Sequence, residues 1–100
     1  MPRPRWTRAL QECKVKKRKL LASGKVQVWG ECDWDTATLS VSTSIYLPAK
    51  LQTLLHECLH WTYPKATEEE ILKMEEIEWA KIGPTTLRLL LDALYPPRRL

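Results

Sequence analysis

Between Trp6 and Leu21 the chain has no glycine or proline, and Trp6, Ala9, Leu10 and Cys13 recur at i, i+3, i+4 and i+7. This spacing of one helical face predicts a basic N-terminal helix over about residues 5–22, ending near Ser23-Gly24. The lysine-rich "KVKKRKLL" inside it also suits an edge strand, which is the competing pattern. After Gly24 the period changes. "KVQVWGE" sets Val26, Val28 and Gly30 against Lys25, Gln27 and Trp29, and "TLSVSTSIYL" puts Leu39 and Val41 on one face. Alternation with period two predicts two strands. The polar "CDWDTA" between them predicts an antiparallel hairpin, with Gly30 a candidate bulge.

Pro48 suits the first turn of a helix, where its missing N–H is not needed, and Pro64 stops one, so a helix is predicted from about Pro48 to Thr62. Leu47, Leu51, Leu54, Cys58 and Trp61 form its apolar stripe. Thr67, with Glu70 three residues on, forms a capping box that opens a third helix running to about Ile82, before Gly83-Pro84. Ile71, Leu72, Trp79 and Ile82 mark its apolar face, with Met74 at the margin. A last helix over about residues 85–94 carries five leucines and ends at Pro96-Pro97.

Strand-period segments followed by helix-period segments predict an α+β fold in a single domain, residues 1–100, with its core over about residues 25–82. The expected architecture is a small antiparallel sheet packed against the helix of residues 48–62, backed by the N-terminal helix and followed by a glutamate-bearing helix.

Composition limits the function classes. With 44% hydrophobic and 28% charged residues, and no apolar run near the roughly 20 needed to span a bilayer, a membrane protein is not expected. The basic start lacks an apolar segment with a cleavage site, which points to a cytoplasmic chain. Three cysteines, Cys13, Cys32 and Cys58, without a CxxC pair argue against a disulfide framework or a cysteine-based zinc knuckle. The net charge of +4 is uneven: residues 1–25 carry nine Lys or Arg against Glu12 alone, giving +8 there and −4 in the remainder. A basic N-terminal segment can meet nucleic acid or an acidic partner.

The chain's two histidines fall in "LLHECLHW", as His56 and His60, with Glu57 directly after the first. On a helical wheel they lie away from the apolar stripe, on a face that would line a cleft. Spacing of i, i+4 brings both imidazoles to one point, where their nitrogens can supply half of a tetrahedral Zn²⁺ site. Glu57 sits to the side, in reach of a water at the metal, as a general base requires. A catalytic zinc needs a third protein ligand, and no third histidine exists. Glu68 and Glu75 fall near the centre of the third helix's inward face. Glu68 is the expected ligand with Glu69 the alternative, and Glu75 is a candidate second-layer support.

A helix bearing HExxH followed by a helix bearing a glutamate resembles the gluzincin metallopeptidases, close to the minigluzincins and the ImmA/IrrE-like peptidases. The stretch "GECDWDTATLSVSTSIYLPAKLQTLLHECLHWTYPKATEEEILKMEE" is also similar to short phage and bacterial SprT-like proteins. The resemblance covers roughly residues 25–82. It implies zinc held by His56, His60 and Glu68 or Glu69, Glu57 as catalytic base, and peptide-bond hydrolysis through a metal-activated water. SprT-type proteins use a third histidine, which this chain lacks.

The expected partner is a peptide or protein substrate, received extended along the strand "TLSVSTS" by strand addition. Tyr63 and Tyr46 are candidate donors to the developing oxyanion. Cys32, or Asp33 beside it, is the fallback ligand if neither glutamate serves. The alternative function is a zinc-stabilised, non-catalytic binding module that contacts nucleic acid or a protein through the basic N-terminal segment.

Overall fold

A computed structural model describes residues 3–19 and 29–97. Among them the elements run as a 3₁₀ turn (Arg5–Arg8) leading into α1 (Ala9–Glu12), β1 (Lys14–Arg18), β2 (Gly30–Asp33), β3 (Thr38–Ser42), α2 (Leu47–Thr62), α3 (Glu68–Ala80) and α4 (Pro84–Leu94). The fold is α+β: helices around a small three-stranded mixed sheet.

The expected N-terminal helix is corrected. It stops at Glu12, Cys13 takes extended dihedrals (φ −116°, ψ 154°), and "KVKKR" is strand β1. A helix through these residues would stack Lys14 on Lys17 and Arg18 at i+3 and i+4, a repulsive arrangement. As a strand they place the half-buried Val15 opposite Leu39 and leave the charges exposed. Residues 20–22 of the expected helix, and most of the expected strand at residues 25–31, lie outside the described residues.

The sheet order is β1-β3-β2. β2 and β3 form the antiparallel hairpin, with Cys32 opposite Leu39, but β1 pairs parallel to β3, so the all-antiparallel expectation is corrected to a mixed sheet. The hairpin turn is narrower than "CDWDTA", since Cys32 and Asp33 belong to the strand. Asp33 Oδ1 accepts from the Asp35 and Thr36 amides, and Ala37 closes the turn with φ at 51°, in the left-handed region. Gly30 pairs in register with Val41 and forms no bulge.

β3 lies between the other two strands and is buried from Leu39 to Ser42. Its Leu39 and Val41 join Leu51, Leu54, Leu55, Cys58 and Leu59 of α2 in the core, which Trp6, Ala9, Cys13, Ile71, Leu90 and Leu94 complete. Burial of these side chains is the main stabilising term, about 1.5–3 kcal/mol for each large aliphatic. α2 packs on β2 and β3 and also against α3. No helix among the described residues is long and apolar enough to cross a membrane.

The helix boundaries follow their sequence signals. Pro48 sits in the first turn of α2, and the Thr67–Glu70 capping box is formed in both directions. Two apolar residues leave their expected faces. Leu47, at the start of α2, is 42% exposed, and Leu72 of α3 is 51% exposed beside the fully buried Ile71.

Candidate metal centre

α2 has one face in the core and the other beside β2. Gln52, His56 and His60 recur every four residues along the open face, one helical turn apart. Their neighbour Glu57 turns toward β2 and is 6% exposed. The approach between α2 and β2 depends on Gly30. A Cβ there would stand 2.7 Å from Thr53 Cγ2 and 2.8 Å from Glu57 Oε2, closer than side chains tolerate.

His56 and His60 present their Nε2 atoms to each other at 3.1 Å, with ring centroids 4.8 Å apart. Glu68, in the first turn of α3, closes the group. Its Oε1 is 2.8 Å from His56 Nε2 and its Oε2 is 2.8 Å from His60 Nε2. The five-residue link from Thr62 to Glu68, capped by Thr67, brings that first turn back over His60. Among the described residues these three offer ligand atoms that all lie within 4.8 Å of one another, a set able to hold a metal ion.

Behind the group, His56 Nδ1 donates to Glu75 Oε1 at 2.5 Å, and Gln52 Nε2 donates to Glu75 Oε2 at 2.7 Å. With the Nδ1 proton committed, the neutral ring has its lone pair on Nε2, where Glu68 and His60 converge. Two imidazole Nε2 atoms and a carboxylate form the nitrogen–oxygen donor set that suits zinc, so the residues present fit that ion.

The electrostatics follow the packing. Burial would lower the His56 pKa, but the Glu75 hydrogen bond and the charges of Glu57, Glu68 and Glu75 outweigh it and leave it raised. Burial lifts the Glu57 carboxyl from 4.5 to about 7, against the pull of His56. The Cys32 thiol is pushed up to about 12 by burial and then by the Glu57 charge. Such a thiol is neutral at physiological pH and a poor ligand in that form.

The cleft over the group has a volume of about 580 Å³, and all four residues of β2 line it, with Trp34, Asp35, His56, Glu57, His60 and Glu68. Glu31 on its wall is tied to Arg18 by an ion pair, so one charge of the basic segment is used within the fold. Lys17, over the Tyr95 ring at 3.8 Å, is another.

The structure thus brings together His56, Glu57, His60, Glu68 and Glu75. It leaves Glu69 outside, exposed and 3.9 Å from Lys73. Cys32 and Asp33 line the cleft without joining the converging atoms. Tyr63 is corrected: it lies past the end of α2 in a separate groove with Trp6, Leu59 and Met74, under the Arg5 guanidinium at 5.7 Å. Tyr46 is 78% exposed and lines neither the cleft nor that groove.

The strand "TLSVSTS" is corrected as a substrate track, because β3 is paired on both sides; among the described residues the outer strands are β1 and β2, and it is β2 that lines the cleft. Sequence reasoning missed Gln52, although its place one turn before His56 was a usable signal. It also missed the closeness of Gly30 to Glu57, which depends on strand–helix approach and has no local signature.

No family model, curated protein or solved structure matches the chain.

Proposed function

We propose that this chain is a zinc-dependent peptide hydrolase of gluzincin type. The observation that supports this most is the convergence of His56 Nε2, His60 Nε2 and both Glu68 oxygens beside a buried, separately held Glu57. A purely structural zinc site is usually closed by four protein ligands, whereas three ligands at an open cleft leave room for substrate.

His56, His60 and Glu68 would hold the ion, which when bound supplies a Lewis acid that acidifies water and polarises a carbonyl. Glu57 is the proton acceptor and later the donor. Burial raises its carboxyl to about 7 in the metal-free chain, and a cation held beside it would favour the ionised form that accepts a proton from water. The Glu57 side chain lies close against the Gly30 backbone. Glu75 and Gln52 fix the His56 ring. The outer edge of β2, unpaired among the described residues, can receive an extended peptide by main-chain hydrogen bonds.

The experiment has two parts. Elemental analysis should find about one zinc per chain, lost in His56→Ala, His60→Ala protein. Glu57→Gln should keep zinc and fold but lose hydrolysis of a peptide mixture, since an amide cannot take the proton. Equal cleavage by that variant would remove the proposal.

A further inference from the structure

Cations from two separate elements meet at one tyrosine, away from the cleft. Lys17 of β1 stands 3.8 Å from the centre of the Tyr95 ring, and Lys50 Nζ of α2 donates to the Tyr95 hydroxyl at 3.3 Å. A cation–π contact and a neutral hydrogen bond position an ammonium group without neutralising it. Neither lysine has an ion-pair partner among the described residues. Two like charges gathered at one ring repel each other, and an anion bound beside them would relieve that repulsion.

The surroundings continue the pattern. Lys16 and Lys19 are exposed on β1 and just past its end, and the outer edge of β1 is unpaired among the described residues. The Arg18 carbonyl accepts from the Thr43 amide at 3.1 Å, which sets the end of β1 beside the turn leading into α2. Tyr46, at the N-cap of α2, is 78% exposed, and Tyr95 is 42% exposed. Lysines interleaved with open aromatic faces form the surface that single-stranded nucleic acid uses, ammonium groups meeting phosphates and rings stacking on bases. An acidic peptide would use the lysines and leave the rings idle.

The sheet keeps this corner apart from the metal centre. β1 and β2 lie on opposite sides of β3, roughly 10 Å from each other. On the β2 side the cleft is lined by Glu31, Asp33, Asp35, Glu57 and Glu68, and by no Lys or Arg among the described residues. A polyanion is drawn to the β1 side and repelled from the cleft.

We propose that the corner formed by Lys17, Lys50, Tyr46 and Tyr95, continued by Lys16 and Lys19, binds single-stranded nucleic acid without reading its sequence. The inference is independent of the hydrolase reading.

The test uses the full chain and a fluorescently labelled oligothymidylate, with binding read by anisotropy. Binding should weaken as salt is raised from about 50 to about 200 mM. The Lys17→Ala, Lys50→Ala double variant should lose roughly tenfold in affinity at the lower salt, and its slope of log affinity against log salt should shrink by about 1.4, the share of two phosphate contacts. Tyr46→Ala should lose roughly tenfold with the slope unchanged, because stacking carries no charge. Lys73→Glu, on the exposed side of α3, changes the net charge by as much as the double variant and should bind as the parent does.

No binding at the lower salt overturns the proposal. So does equal weakening by Lys73→Glu, which would mean attraction by net charge alone. Binding of phosphatidylserine vesicles or of a polyglutamate peptide that depends on Lys17 and Lys50, without binding of the oligonucleotide, assigns the corner to a lipid or protein partner and overturns it as well. A duplex bound as tightly as the single strand, with Tyr46→Ala inert, removes the stacking role and with it the single-strand assignment.

Discussion

His56 and Glu75 are joined by a 2.5 Å hydrogen bond from Nδ1 to Oε1, so the imidazole is held from behind by a carboxylate one helix away. Burial pushes the Glu75 carboxyl up, but the bonds from His56 and Gln52 outweigh it and leave it below the usual range. An ionised acceptor fixes both the ring orientation and its tautomer. Glu75→Ala is expected to weaken zinc binding by about 10–100-fold, with a smaller loss in Gln52→Ala. Competition titration with a chromogenic chelator measures this. Unchanged affinity in Glu75→Ala would mean that packing alone orients the ring.

The three adjacent glutamates of α3 separate by role. Glu68 faces both histidines, Glu69 sits beside Lys73, and Glu70 accepts from the Thr67 amide. Glu68→Ala should abolish tight zinc binding and leave the melting temperature of chelator-treated protein nearly unchanged. Glu70→Ala should show the reverse, a melting temperature a few degrees lower with zinc affinity intact. Glu69→Ala should change neither, and loss of zinc there would reassign the third ligand.

Gly30→Ala tests the approach of β2 to α2. A methyl group 2.8 Å from Glu57 Oε2 and 2.7 Å from Thr53 Cγ2 must displace one of them. The expected cost is about 1–3 kcal/mol in denaturant unfolding. Zinc affinity should fall little, because neither histidine nor Glu68 is touched, while hydrolysis should fall with the displacement of Glu57. A variant as stable and active as the parent would show that the strand can shift freely.

Glu57 sets a pH dependence in chelator-treated protein. Its folded pKa of about 7 lies above the ordinary 4.5, so the folded chain holds the proton more tightly than the unfolded one. The resulting stability is complete below about 4.5 and is lost as pH rises through about 7. Glu57→Gln carries no such charge. Relative to wild type it should gain on the order of 3 kcal/mol between pH 5 and pH 8. Parallel unfolding curves across that range would place Glu57 in a more polar setting.

The helices were legible because their signals are local. Pro48 and Pro64 bracket α2, and the Thr67–Glu70 box opens α3 without reference to the rest of the chain. The same periodicity placed Glu75 inward, where its side chain is 14% exposed, whereas Glu68 reaches the histidines from the rim with its side chain 60% exposed. β1 was harder: its single apolar residue, Val15, gives too short an alternation to outweigh a gap-free run from Trp6, and only pairing with β3 selects the strand. The central place of β3 and the outward turn of Leu72 depend on which elements meet. Periodicity alone carries no such information. Tyr63 was misplaced because a residue just past a helix end has no face until the chain direction there is known.

The three converging side chains all lie between His56 and Glu68, on either side of one short link. An unfolded chain keeps these donors within one short stretch, so it too can capture the ion, though more weakly. Stabilisation by a ligand reflects the difference between its affinities for the folded and unfolded chains, and here that difference is narrowed. Zinc should therefore raise the melting temperature less than its affinity for the native protein would suggest. Burial of Leu39, Leu54 and Ile71 stabilises the fold independently of the ion, so metal supply would govern chiefly how many molecules are competent rather than how many are folded.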